Sequence, residues 1–385
     1  MGLAISGAPD WPNRPPPATP ATAMGLSRIS LENFRNHPAT TLAETAHFNL
    51  LVGENGAGKT NLLEALSLLG PGRGLRRANL GDLARRATPG DPPLPFAIGA
   101  SLTEAGTVSA RLGTYTEDGA PGRRLVRVNG APATAASLAE WLALSWLTPA
   151  MDGLFTDSAG ARRRFMDRMA LALAPDHARR VNALETALRE RGKLLETGGD
   201  PRWLDAIEAQ AADHGAAVTR ARAELALRLA DELSALPPEP FARPSLAYLP
   251  GGPSDETALR AELARARPRD RAAGRALTGP QRDELEVRMA STGQPAAACS
   301  TGEQKAMLIA ITLAHGILAA AGRPSVLLLD EVAAHLDPVR RAELFRRLRE
   351  GKAQVWMTGT ELAPFEALRG EAAVWRVSGG GVERL

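Results

Sequence analysis

One short run carries the plainest chemistry in the chain: Gly53-Glu54-Asn55-Gly56-Ala57-Gly58-Lys59-Thr60. Set between an apolar stretch and a helical one, its G-x-x-x-x-G-K-T spacing is that of a phosphate-binding loop. The glycines let the backbone close until its N–H groups surround phosphate oxygens, and the following helix adds partial positive charge at its start. Lys59 is placed to reach the β- and γ-phosphates, and the Thr60 hydroxyl to ligate Mg²⁺. The complementary acids stand at Leu327-Leu328-Leu329-Asp330-Glu331. An apolar strand ending in acids puts Asp330 at the carboxyl edge of a sheet, where nucleotide sites form. Asp330 is expected to hold Mg²⁺ through its water shell, and Glu331 to orient or deprotonate an attacking water. The expected ligands are therefore ATP and Mg²⁺.

A third element, Cys299-Ser300-Thr301-Gly302-Glu303-Gln304-Lys305, opens an apolar helical stretch ahead of the acidic strand. Ser300 and Glu303 have capping-box spacing, and an exposed helix start is also an anion site. The order of the pieces is phosphate loop, long insertion, Ser-x-Gly-x-Gln helix start and acidic strand end. That order resembles the ABC-type ATPase heads. The resemblance implies that Ser300, Gly302 and Gln304 clamp a nucleotide held by a partner subunit, so that ATP joins a homodimer. It also implies that Asp337, in Ala333-Ala334-His335-Leu336-Asp337, belongs to a D-loop lying across the interface. Closure of that dimer is expected to bury the Cys299 thiol.

The elements that must position these residues are legible in outline. Arg28–Phe34 alternates as a half-buried strand, and His47–Val52 is a short apolar strand entering the glycine loop. A helix is expected over Lys59–Leu69 and a β-meander over Gly90–Val128. From Ala161 to Leu236 the sequence is helical, broken at Gly198-Gly199-Asp200-Pro201, and one more helix is expected near Asp255–Arg267. Val326–Leu329 and Gln354–Met357 are apolar strands of the kind buried in parallel sheets. The resulting expectation is an α/β fold, a P-loop ABC-type ATPase head with an inserted helical lobe. Residues 24–150 and 276–385 form the two parts of the ATPase lobe, and 151–275 form the insertion. The Pro-rich stretch 1–23 is expected to be a disordered extension, with Met24 an alternative start.

Composition sets the outer limits. Hydrophobic residues make up 44% and charged residues 23%, an ordinary globular balance. A single cysteine excludes a disulfide framework and any multi-cysteine metal site, and suits a reducing cytoplasm. No segment has the run of about 18 apolar residues that a membrane helix needs, and no secretion signal is visible.

Four further stretches narrow the resemblance to the RecF family. Leu31-Glu32-Asn33-Phe34-Arg35-Asn36-His37 looks like its opening strand, and the likeness puts Arg35 among the ATP-binding residues. Ala161-Arg162-Arg163-Arg164-Phe165-Met166-Asp167 resembles its Arg-Arg-x-Phe-Leu-Asp element. Thr278-Gly279-Pro280-Gln281-Arg282-Asp283-Glu284-Leu285 resembles its Thr-Gly-Pro-His-Arg-Asp-Asp-Leu element, with Gln281 and Glu284 as departures. Asp330–Arg347 resembles its carboxy-terminal signature. Two positions depart from ABC ATPases at large. No glutamine precedes Gln210, which leaves Asp152 as the candidate at the Q-loop position. After the last core strand stand Thr358-Gly359-Thr360, offering a hydroxyl where many relatives place a histidine. Slow hydrolysis is the expected consequence.

The RecF resemblance implies binding to gapped or single-strand/double-strand junction DNA, with RecO and RecR as partners in loading RecA. The residues themselves offer arginine clusters: Arg73, Arg76 and Arg77, then Arg85 and Arg86, then Arg162 to Arg164. Phosphate contact is one reading, and ion pairs to Asp82 or Asp167 are the other. Aromatic residues make up only 4%, so backbone contact to duplex is expected over base stacking. Competing readings are an SMC-type head that tethers DNA, the ATPase subunit of a transporter, and a regulatory module with a dead ATPase. An insertion of this length cannot build a long coiled-coil arm. Lys59, Asp330 and Glu331 argue against a dead site.

Overall fold

The computed structural model describes residues 24–385 other than 89, 105, 172, 238, 321, 322, 334 and 335. The stretch 1–23, and Ala334 and His335 of the expected D-loop, lie outside the described residues.

The chain is an α/β protein whose ATPase-type core carries two six-stranded sheets. It begins with β1 (Met24–Phe34), β2 (His37–Ala43) and β3 (Phe48–Val52), followed by α1 (Lys59–Ser67) and a single turn, α2 (Leu80–Leu83). A meander follows through β4 (Ala97–Glu104), β5 (Thr107–Glu117), β6 (Ala120–Val128) and β7 (Ala131–Ala133). A short α3 (Leu138–Trp141) then leads into β8 (Ala143–Leu147). The helical portion comprises α4 (Ala159–Ala170), α5 (His177–Thr197), α6 (Pro201–Ala235) and α7 (Glu256–Ala273), with β9 (Pro244–Leu249) between the last two. The chain returns through β10 (Glu284–Met289), α8 (Thr301–Ala319), β11 (Ser325–Leu329), α9 (Pro338–Glu350), β12 (Gln354–Gly359), β13 (Ala372–Ser378) and β14 (Gly381–Arg384).

The first sheet is antiparallel, in the order β2-β1-β4-β5-β6-β7; the second runs β14-β13-β3-β12-β11-β8 and is parallel apart from β14. Strands buried on both faces must be apolar on both faces, and β3, β11 and β12 are buried throughout. Along β3, Phe48, Leu50 and Val52 face a core shared with α8 and the helical portion, while Leu51 faces the core holding α1 and the antiparallel sheet. Of the polar side chains in these strands Asn49, Gln354 and Thr358 are hydrogen-bonded, as burial demands, while the Ser325 hydroxyl has no partner among the described residues. Gln354 exchanges two hydrogen bonds with the Leu26 backbone, at 3.1 and 2.9 Å, and so ties β1 to β12.

The α5–α6 hairpin follows from three residues. Gly198 takes φ +70° to end α5, Asp200 caps α6 through the Arg202 N–H, and Pro201 occupies the first turn, where its missing donor costs nothing. Inside the hairpin, Arg191 is fully buried and donates to Glu208 (2.9 Å), Asp270 (2.8 Å) and the Leu263 carbonyl (2.7 Å). The same anchor corrects the expected end of α7. The helix continues through Pro268 to Ala273, because Leu259, Leu263, Ala266 and Asp270 keep one buried face across the proline.

Candidate functional site

The parallel strands deliver their carboxyl ends to one edge, and the candidate residues collect there. β3 leads into the loop at Gly53, whose N–H donates to the Gly359 carbonyl at the end of β12 (3.2 Å). Gly56 and Gly58 take φ +81° and +116°, a region glycine enters without a Cβ penalty. A Cβ on Gly58 would stand 2.7–2.8 Å from side-chain atoms of Asn36 and His37. Those two residues brace the loop: Asn36 Nδ2 donates to the Ala57 carbonyl (2.9 Å), and the His37 ring lies between the carbonyls of Gly58 (3.1 Å) and Gly380 (3.0 Å). Glu54 and Asn55 are exposed at the loop's outer turn.

Lys59 is nearly buried and folds its ammonium onto the carbonyls of Gly53 (2.7 Å) and Glu54 (2.8 Å). Burial pulls this ammonium below the ordinary lysine value, and the charges of Glu331 and Asp330 work against that. Thr60 Oγ1 donates to Asp330 Oδ1 at 2.9 Å, and Thr358 Oγ1 donates to the same oxygen at 2.8 Å. The Asp330 N–H donates to the Leu147 carbonyl (2.9 Å), fixing the acid between β8 and β12. Glu331 holds φ +54°, and its N–H donates to Thr358 Oγ1 (2.8 Å). A non-glycine residue held there stores about 1–3 kcal/mol of strain, a feature that clusters at reactive sites.

A glycine cradle, an ammonium at its rim and a Thr–Asp oxygen pair suit a polyphosphate and a hard divalent cation. Among the described residues no cluster of three or more His, Cys, Asp or Glu could hold a metal alone. That is compatible with Mg²⁺, which takes one or two protein oxygens and completes its shell with water and phosphate. Thr358 serves both acids, and Thr358→Val keeps its shape while removing both hydrogen bonds. We expect this variant to lose about 10- to 100-fold in turnover or Mg²⁺ affinity, the usual cost of an outer-sphere partner. Mg²⁺ titration of ATPase activity reads it, and an unchanged titration would reduce Thr358 to packing.

The clamp residues sit at the start of α8. Ser300 forms the full capping box with Glu303, accepting from its N–H at 3.3 Å while the Ser300 N–H donates back at 2.8 Å. A Cβ on Gly302 would meet no other part of the chain within 4 Å and the residue is exposed, so the helix start is open to solvent on that side. Gln304 is buried and donates to the Cys299 carbonyl (2.9 Å). Cys299 itself corrects an expectation: it is already buried within one subunit, and burial raises its thiol above the ordinary value. Its protection cannot report dimer closure. Asp337 caps α9 by accepting from the Arg340 N–H (2.9 Å). Asp152, at the Q-loop position, pairs with Lys305 of α8 at 3.0 Å.

Three expected ligand-contacting arginines are engaged elsewhere. Arg35 binds the buried carboxylate of Glu64 through Nε (2.9 Å) and Nη2 (3.1 Å), and Arg76 reaches the same carboxylate (3.2 Å) and Asn61 (2.8 Å). Arg73 donates to Asn79 (2.7 Å), while Arg77 makes no side-chain hydrogen bond among the described residues. The bracing role of Asn36, His37, Asn61 and Glu64 was not read from the sequence. Its one signal was the resemblance of the Leu31–His37 stretch to a family element.

Two family-like stretches distant in sequence meet in space. Arg162 pairs with both oxygens of Glu284 (2.7 and 2.8 Å), and Arg163 donates to the Asp283 carbonyl (2.9 Å). Arg222 of α6 bridges Asp167 (2.8 and 2.9 Å) and Asp283 (2.8 Å). Arg162 and Arg163 thus hold α4 to β10, whereas Arg164 is exposed and unpaired among the described residues.

Comparison with known proteins agrees with this layout. The RecF/RecN/SMC N terminal domain family matches residues 25–374. The DNA replication and repair protein RecF of Brucella suis biovar 1 is 46% identical, over 93% of this chain and 95% of its own length. The RecF of Mesorhizobium japonicum is 47% identical over 93% of this chain and 97% of its own. A solved structure of the recombination mediator protein RecF with ATPrS, in the RecFOR pathway, superposes with a TM-score of 0.82 at 21% identity, covering 94% of this chain and 98% of that one. An Smc head domain from Pyrococcus furiosus shares the fold more distantly, with a TM-score of 0.51 at 15% identity over 94% and 96% of the two chains. Near-half identity over 93% of the chain assigns more than a shared ATPase fold: the chain belongs to the RecF family.

Proposed function

We propose that this protein is an ATP-dependent DNA-binding protein of recombinational repair, acting as an ATP-induced dimer with slow hydrolysis. The observation that carries the reading is the meeting of Lys59, Thr60, Asp330, Glu331 and Thr358 at the ends of three adjacent parallel strands. ATP would lie on the Gly53–Thr60 loop, and Mg²⁺, held by Thr60 and Asp330, would supply charge neutralisation across the phosphate oxygens. Lys59 leaves its two carbonyl partners to meet phosphate, and Glu331 accepts a proton from the attacking water. Ser300 and Gly302 of a second subunit complete the site, with Asp337 beside them at the interface. The ATPase lobe comprises residues 24–150 and 276–385, and the helical lobe 151–275.

The RecF relatives' names as replication and repair proteins, and the RecFOR pathway attached to the solved RecF structure, support gapped or junction DNA as the target. RecO and RecR are the partners implied in delivering a recombinase. The hairpin at Gly198–Pro201 turns α5 back after 21 residues, which argues against the long arm of a DNA-tethering SMC head. The reading is tested by the affinity for a gapped duplex with ATP and with ADP. At least about tenfold tighter binding with ATP is expected, a coupling of about 1.4 kcal/mol. Equal affinities would remove the nucleotide switch.

A further inference from the structure

The turn after α1 is built with unusual care for a surface loop. Arg124, on β6, is half-buried and has no carboxylate partner among the described residues. It instead collects the carbonyls of Gly70 (2.9 Å), Gly72 (2.7 Å) and Leu68. These carbonyls belong to the C-cap of α1 and the turn just beyond it, so one cation fixes the chain that carries Arg73 and Arg77. α1 itself starts at Lys59 and is nine residues long, about 14 Å at 1.5 Å per residue. One rigid rod therefore links the phosphate loop to this turn.

The turn also lies against the helical lobe. Gly70 and Pro71 line a small cleft with Arg168 of α4 and Leu171 just after it. Arg164 sits one helical turn before Arg168 on the same face, which brings it to the Arg73–Arg77 turn. Burial lowers the Arg77 guanidinium, the charges of Arg164 and Arg73 lower it further, and Glu185 offsets them. Glu185 in turn lines a cleft of about 1080 Å³ between α5 and the end of α7, rimmed by Arg189, Arg275 and Arg282. None of Arg73, Arg77, Arg164, Arg189, Arg275 or Arg282 has an ion-pair partner among the described residues, although arginines elsewhere in the lobe are paired. Glu185 and Glu196 line the same cleft but form no ion pair with any of the six among the described residues, and like charges left unpaired raise the energy of the folded chain unless an anionic ligand offsets them.

We propose that these six arginines form one phosphate track for duplex DNA, crossing from the ATPase core to the helical lobe. The inference rests on the DNA-binding reading above and adds its path. The Gly70–Arg168 cleft and the α5–α7 cleft have a single aromatic side chain in their linings, Trp146, and Arg168 covers it at 4.5 Å. Base stacking is therefore not available along the track, and backbone contact selects duplex over single strand. Arg76, held by Glu64, is outside it.

The test is a salt series of dissociation constants for a fluorescent duplex, with ATP and Mg²⁺ present. The variants are Arg77→Asn plus Arg164→Gln, and Arg275→Gln plus Arg282→Gln, with Arg260→Gln on the exposed face of α7 as the control. Asn suits the φ of +56° at position 77, and circular-dichroism melting checks that each variant is folded. Each lost phosphate contact lowers the slope of log K against log salt by about 0.9. Each double variant is therefore expected to flatten it by about 1.8, with Arg260→Gln unchanged. An unaltered slope in both double variants, with wild-type binding intact, overturns the track and leaves the DNA reading standing. Equal flattening by Arg260→Gln also overturns it, because the effect is then one of net charge. Failure of the wild-type protein to bind any DNA removes both.

Discussion

Glu331→Gln is expected to lower ATP turnover by about 10²- to 10⁴-fold while nucleotide binding persists, the usual range for a lost general base. The amide keeps the size of the side chain and its place after β11, but cannot take a proton from water. The backbone cost at φ +54° is common to both residues, so the comparison isolates the carboxylate. Binding survives because the cradle, Lys59, Thr60 and Asp330 are untouched. Removing the negative charge of Glu331 also leaves Lys59 with Asp330 as its remaining offset against burial. Single-turnover measurements separate binding from chemistry. Wild-type turnover in the variant would transfer the base role to another group.

Arg222→Met is expected to destabilise the protein by about 3–5 kcal/mol, because it strands the buried carboxylate of Asp283 and the half-buried one of Asp167. Arg222 is almost fully buried, as is Asp283, and it also donates to the Pro280 carbonyl (2.7 Å). Methionine fills the volume but leaves Asp283 with Tyr248 and the Gly251 N–H, and Asp167 with His177. Burial raises the Asp167 carboxyl, but the hydrogen bonds of His177 and Arg222 outweigh it and hold the group below its ordinary value. A carboxylate depressed in the folded state contributes stability above its unfolded pKa, and that contribution is lost as the pH falls. The gap between wild type and Arg222→Met should therefore narrow below about pH 4, near the ordinary aspartate value. Urea denaturation across pH reads both effects. A gap under about 1 kcal/mol at neutral pH would mean the acids find water instead.

The chemistry of the site was more legible than its support. The loop from Gly53 to Thr60, the acids after Leu329 and the Ser300 helix start announce themselves, because phosphate and Mg²⁺ chemistry tolerates few residue types at fixed spacing. The α5–α6 break was equally plain, since Gly198, Asp200 and Pro201 each have one conformational use there. Less was readable where partners are distant. β8 has the apolar run Ala143–Leu147, yet nothing local distinguishes it from the end of the short α3 before it. Its register beside β11 is what makes it a strand. The β9–β10 pair joins segments on either side of α7, so the partner of each strand lies a whole helix away in sequence. The helix expected near Asp255–Arg267 runs on to Ala273, where a buried Asp270–Arg191 pair holds its end. The arginines show the same limit. Arg162, Arg163 and Arg164 are adjacent in sequence, but α4 directs the first two at β10 and the third at solvent.

The central claim is that ATP joins two subunits into the form that holds DNA. Its most direct test is sedimentation velocity of the Glu331→Gln protein with a labelled gapped duplex, across protein concentration, with ATP or ADP. The account predicts concentration-dependent dimerisation with ATP alone, the DNA label moving with the dimer. Ser300→Arg should bind ATP yet remain monomeric and leave the DNA behind. A saturated ATP complex that stays monomeric at every concentration, or dimerises equally with ADP, would contradict it.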